Sequence, residues 1–106
     1  MNKLFPFEHV KIGPFRYNIT DIHGEVADGR FVHGEATYHK TLIKVDANSS
    51  KQGAMQTLMH EIIHTIRYQS AIQPTKDEEF VCDALAFGII QVIKDNPGLI
   101  KEIQEL

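Results

Sequence analysis

His60-Glu61-Ile62-Ile63-His64 lies inside a longer run, Ser50 to Tyr68, and the reading of that run decides the fold. Ala54, Met55, Leu58, Met59, Ile62, Ile63 and Ile66 recur at the spacing of one helical face, and no proline or glycine interrupts after Gly53. Ser49 or Ser50 supplies an N-cap. On such a helix residues four apart stand one turn above each other, so the imidazoles of His60 and His64 can reach one metal ion. Glu61, beside the first histidine, is then placed to take a proton from an attacking water. Two neutral imidazoles and one carboxylate in an HExxH pattern are what a zinc hydrolase requires. By itself the pattern also fits two solvated histidines on the polar side of an amphipathic helix, so its surroundings must decide.

A catalytic zinc takes its third protein ligand from outside the HExxH helix. After the polar connection Gln73-Pro74-Thr75-Lys76, a second helical pattern begins at Asp77 and continues through Ile89, Ile90, Val92 and Ile93. Glu79 and Asp83 share one face of it, and Phe80, Ala84 and Phe87 mark an opposite face expected to point at the core. Glu79 is the expected third ligand, with Glu78 in reserve. Asp83 is placed to accept a hydrogen bond from the outer nitrogen of a ligating histidine and so fix its tautomer. Asp77, Glu78 and Glu79 also suit the positive end of a helix dipole, and the two readings are compatible. Cys82 reads as a small packed residue rather than a ligand. Asn96-Pro97-Gly98 stops this helix, and Asn96 as N-cap with Pro97 at the first helical position starts a last short one reaching Leu106. Leu99, Ile100, Ile103 and Leu106 are spaced to pack on the core or on another copy.

Before residue 49 the character changes. Gly13, Pro14, Gly24, Gly29 and Gly34 punctuate short segments rich in β-branched and aromatic residues. Phe15 to Ile22 reads as a strand. Gly34 to Tyr38 and Thr41 to Asp46 read as a hairpin turning near His39-Lys40. Partial alternation in Thr41-Leu42-Ile43-Lys44-Val45-Asp46 suggests a half-buried strand at or near a sheet edge. Tyr38, His39 and Tyr68 are the available donors for polarising a substrate carbonyl. His33 and His39 are further groups that could add a ligand or stabilise an oxyanion.

His60-Glu61-Ile62-Ile63-His64 followed by Glu79-Phe80-Val81-Cys82-Asp83 resembles the HExxH plus ExxxD pattern of the gluzincin metallopeptidases. The short chain, the alternating segment before the HExxH helix and Asp83-Ala84-Leu85-Ala86-Phe87 look most like the small ImmA/IrrE-type metallopeptidase-like proteins of phages and mobile elements. The likeness covers about residues 30 to 97. The Leu-Met-Pro element that often follows the second helix in that group is absent, and Gly88-Ile89-Ile90-Gln91-Val92 stands there instead. The resemblance implies a zinc-dependent peptidase core, with His60, His64 and Glu79 as ligands and Glu61 as general base. It also implies that an edge strand beside the metal takes an extended peptide by β-addition.

A chain of 106 residues with 42% hydrophobic content is expected to form one α+β domain: mainly β to residue 48, mainly α from 49. Its predicted form is a small antiparallel sheet followed by the HExxH helix, the glutamate-bearing helix and a short C-terminal helix. A net charge of −3 with mixed signs gives no electrostatic footprint for nucleic acid. No apolar run approaches the ~18 residues that span a bilayer, and no basic segment precedes an apolar stretch at the amino terminus. With a single cysteine, the expectation is a cytoplasmic protein whose partner is a protein or peptide substrate and whose cofactor is one Zn²⁺. The competing expectation is a non-catalytic zinc-stabilised module that binds a protein or peptide, since a chain this small gains much from a structural metal. A third is a fold that keeps the motif residues without binding metal.

Overall fold

The computed structural model describes residues 2–24, 26–27, 30–31 and 33–106, with 26–27 and 30–31 described as backbone only. Alternation governs the strands. In β2 (Phe15–Ile22) Tyr17, Ile19 and Ile22 are buried, and in β6 (Leu42–Asp46) Ile43 and Val45 are. β1 (His9–Ile12) pairs antiparallel with β2 across a turn in which Gly13 takes a φ of 59°, a left-handed conformation that suits glycine. β3 (Val26–Ala27) and β4 (Arg30–Phe31) form a separate two-stranded ribbon. β5 (Gly34–Thr37) turns through a short 3-10 segment at Tyr38–Lys40 and returns antiparallel as β6, so the expected hairpin is present.

α1 (Lys51–Gln69) crosses one face of the sheet and buries Ala54 and Leu58 against Ile19, Ile43 and Val45. Ser50 caps it, its hydroxyl accepting the Gly53 N–H at 3.0 Å. At the other end Gln69 donates to the Ile12 carbonyl at 2.9 Å, tying the helix to β1. α2 (Glu78–Asp95) runs antiparallel to α1, since His64 and Arg67 meet Glu78, His60 meets Glu79 and Gln56 meets Asp83. α3 (Pro97–Gln104) follows Asn96 as N-cap with Pro97 at its first position and packs on α2. No described helix is long and apolar enough to cross a membrane.

The α+β class, the small sheet and the three helices agree with the sequence reading, and two details depart from it. The four-stranded sheet runs β1-β2-β6-β5 and is mixed rather than antiparallel, because β2 and β6 are parallel, with Ile19 opposite Ile43. The strand at 42–46 lies next to the edge strand β5, in keeping with a half-buried strand near an edge, and β1 forms the other edge. Phe80, Ala84 and Phe87 do not face the core: both rings are in solvent, and α2 buries only Cys82 and Ala86. Small side chains at those two positions let α1 approach closely, so α2 docks through them rather than through its aromatics.

Candidate metal site

On α1, His60 and His64 are one turn apart and project toward the start of α2. Their Nε2 atoms stand 3.0 Å from each other. The Glu79 carboxylate spans them, Oε2 lying 3.1 Å from His60 Nε2 and Oε1 lying 2.8 Å from His64 Nε2. The outer nitrogens face carboxylates as well. Glu78 Oε2 is 2.6 Å from His64 Nδ1, and Asp83 Oδ1 is 3.3 Å from His60 Nδ1, in ion-pair range but off the ring nitrogen's hydrogen-bonding direction. Glu78 and Glu79 achieve this as sequence neighbours, because a step of about 100° around the helix sets one on each side of the His64 ring.

These distances constrain the chemistry. A proton on His64 Nδ1, donated to Glu78, leaves Nε2 with its lone pair; the same tautomer of His60, facing Asp83, does likewise. Two lone pairs and a carboxylate within 2.8–3.1 Å of one another repel unless a proton or a metal cation lies among them. A zinc ion with ligands at 2.0–2.1 Å holds tetrahedral neighbours about 3.3 Å apart, so the donor set fits Zn²⁺ after a small widening. Imidazole and carboxylate donors suit that ion, although cobalt, nickel and iron accept the same set. His60, His64 and Glu79 thus come together as the sequence expected. Glu78, the reserve ligand, instead holds the outer side of His64 and is fixed there by Arg67, whose Nε lies 2.8 Å from Glu78 Oε1. Cys82 is packed as expected, its sulfur 3.6 Å from His64 Nδ1, and burial raises its thiol pKa. With His64 and Glu78 it forms a second cluster of metal-ligating types. Arg67 against Glu78 makes that cluster unfavourable for a cation.

Glu61 lies on the sheet side of the histidines. It is 8% exposed, and burial, with the nearby Glu79 and Glu35 charges, pushes its pKa up from 4.5 to about 7; His60 and a hydrogen bond from the Ala36 backbone N–H oppose the rise. The close approach of β5 that permits this bond depends on Gly34. A Cβ there would lie 2.3 Å from Thr57 Cγ2 and 3.3 Å from Glu61 Oε2. Between β5 and the two helices opens a cleft of about 330 Å³ lined by His33, Gly34, Thr57, His60, Glu61, Glu79 and Asp83.

The three expected carbonyl-polarising groups are elsewhere. Tyr38 and Tyr68 stack ring on ring at 4.0 Å, the Arg67 charge lies near Tyr38, and His39 is exposed on the 3-10 turn; none is among the described lining residues of the cleft. His33, weighed with His39 from the sequence, does line it, its Nδ1 3.6 Å from Asp46 Oδ2. Gly34 reads in the sequence only as the start of a hairpin, and nothing there gives Thr57, Arg67 or the Ala36 amide a role at the site. The alternation of the 34–37 segment just before the HExxH helix was the available signal for the first and last of these.

No protein-family model matches the chain, and neither a curated protein nor a solved structure matches it.

Proposed function

We propose that the chain is a zinc-dependent hydrolase, most specifically a metallopeptidase of the gluzincin kind resembling the small ImmA/IrrE-type proteins. The observation that carries this reading is the convergence of His60, His64 and Glu79 on one point, with a second carboxylate, Glu61, buried beside them and titrating near neutrality. Zn²⁺ held by His60, His64 and Glu79 supplies Lewis acidity, polarising a carbonyl and bringing the pKa of water to about 7. Glu61, buried beside the ligands, would accept the proton of the attacking water and return it to the leaving amine. The Ala36 N–H keeps that carboxylate aimed into the cleft, while Glu78 holds His64 in the tautomer that frees Nε2 and the Asp83 charge lies 3.3 Å from His60 Nδ1. β5, at the edge of the sheet and lining the cleft through Gly34, offers backbone groups to an extended peptide.

The test has two stages. Elemental mass spectrometry should give about one zinc per chain in the parent and none in His60→Ala or Glu79→Ala, as a site with three protein ligands requires. Glu61→Gln should then keep its zinc and lose hydrolysis of an unstructured protein such as casein. A parent that takes up no zinc, or a Glu61→Gln protein that still cleaves, would falsify this assignment.

A further inference from the structure

From Ala84 to Ile93 the chain carries no charged residue, yet α2 buries only Cys82 and Ala86. A helix apolar around its whole circumference is normally enclosed on all sides, and α1 encloses only one. On the side turned away from the cleft, Leu85, Ile89 and Val92 join Leu99 and Ile103 of α3 along an open apolar groove of about 490 Å³. These five side chains are between 38% and 53% exposed. Asp83, which lines the cleft, is about 160° round the helix from Leu85. α3 has the same polarity: Leu99, Ile100 and Ile103 line the groove, and Lys101, Glu102 and Glu105 lie outside it.

We infer that a second copy of this chain packs on the groove, α2 and α3 of one protomer against α2 and α3 of the other. Area and composition favour that occupant. The residues that line the groove expose on the order of 500 Å² of mostly apolar surface, at the upper end of the largest patch of a typical monomer and more than half of the ~800 Å² that each partner of a stable interface buries. Partners that come and go meet through surfaces about as polar as the rest of the protein, whereas homodimer interfaces are the apolar ones. A two-fold contact also requires a patch that complements itself. An uncharged groove between two ridged helices, with Lys101, Glu102 and Glu105 outside it, meets that requirement. The cleft stays open on the other side of α2, so the pairing is independent of whether the site holds metal.

Sedimentation of the full chain, with and without a chelator, decides the matter. The expected mass is twice the 12.1 kDa of one chain in both conditions, falling to 12.1 kDa in Leu85→Glu/Ile103→Glu with helical circular dichroism retained. A parent that stays at 12.1 kDa up to on the order of 100 μM overturns the inference and leaves the groove to a different protein. A folded double variant that remains dimeric overturns it too, because the contact then lies elsewhere. Should the double variant not fold, amide exchange of the parent at high and low concentration replaces it. Protection lost on dilution from α2 and α3 supports the pairing, and loss from any other element, or no loss while the mass halves, overturns it.

Discussion

α1 and α2 are almost equally long, 19 and 18 residues, and lie side by side, yet they place polarity in opposite senses. α1 buries Glu61, His64 and Thr65 among its apolar contacts, while α2 leaves Phe80, Phe87 and Leu85 in solvent. Each arrangement costs free energy in isolation: burying a carboxylate and an imidazole without full compensation is expensive, and so is wetting a row of apolar side chains. A chain keeps such arrangements where something else offsets them. On the proposed function the inside offset would be a cation and a reaction, and on the inferred pairing the outside offset would be a second copy of the chain. The two helices thus mark two kinds of site, and the sign of the mismatch between residue and environment tells which is which.

The largest effect that would break this comparison is at Leu58, 2% exposed at the centre of the α1 face. Leu58→Ala should destabilise the fold by about 2–5 kcal/mol, read as a lower urea midpoint. A loss under about 1 kcal/mol would mean that α1 is not the helix anchored in the core.

Somewhat smaller is the cost of ionising Glu61 in metal-free protein. Its folded pKa of about 7 lies above its ordinary 4.5, so the folded state holds the proton more tightly. The stability this gives is full below about pH 4.5 and is lost as pH rises through about 7, a change of about 3 kcal/mol. Glu61→Gln should therefore be the more stable protein at pH 8 and lose that advantage toward pH 4. Chemical denaturation across that range checks it, and a constant difference between the two proteins would place Glu61 in an environment like water.

Smallest is Phe87→Ser. Phe87 is 70% exposed and lies about 200° round α2 from Leu85, on the flank away from the α3 groove. The change should alter unfolding free energy by no more than about 0.5 kcal/mol. A larger loss would show that the aromatic flank, and not only the groove, is covered in solution.

Much of α1 was legible in sequence because three signals agreed over its length: apolar spacing, a serine cap and an uninterrupted run of helix formers. The β5–β6 hairpin was legible for a similar reason, two alternating segments around a short polar turn. α2 was legible as a helix and illegible as a surface. With Val81, Leu85, Phe87, Ile89 and Val92 spread around its axis, no apolar direction stands out, and the docking side is chosen by the small Cys82 and Ala86 instead. The parallel pairing of β2 with β6 had no local signature, since it depends on where the intervening segment returns in space. At the site, residue type and spacing identified His60, Glu61, His64 and Glu79 as neighbours. The separate positions of Glu78 and Glu79 around His64 follow only from the helix crossing.

The stacked pair of Tyr38 and Tyr68 has a use of its own. The protein has three tyrosines and no tryptophan, and Tyr17 is sealed in the sheet. The other two are ring on ring at 4.0 Å, one on the turn that leaves β5 and one near the end of α1. Their coupled electronic transitions are an optical gauge already installed across the seam between edge strand and helix. Near-ultraviolet dichroism therefore reads any parting of that seam without a label.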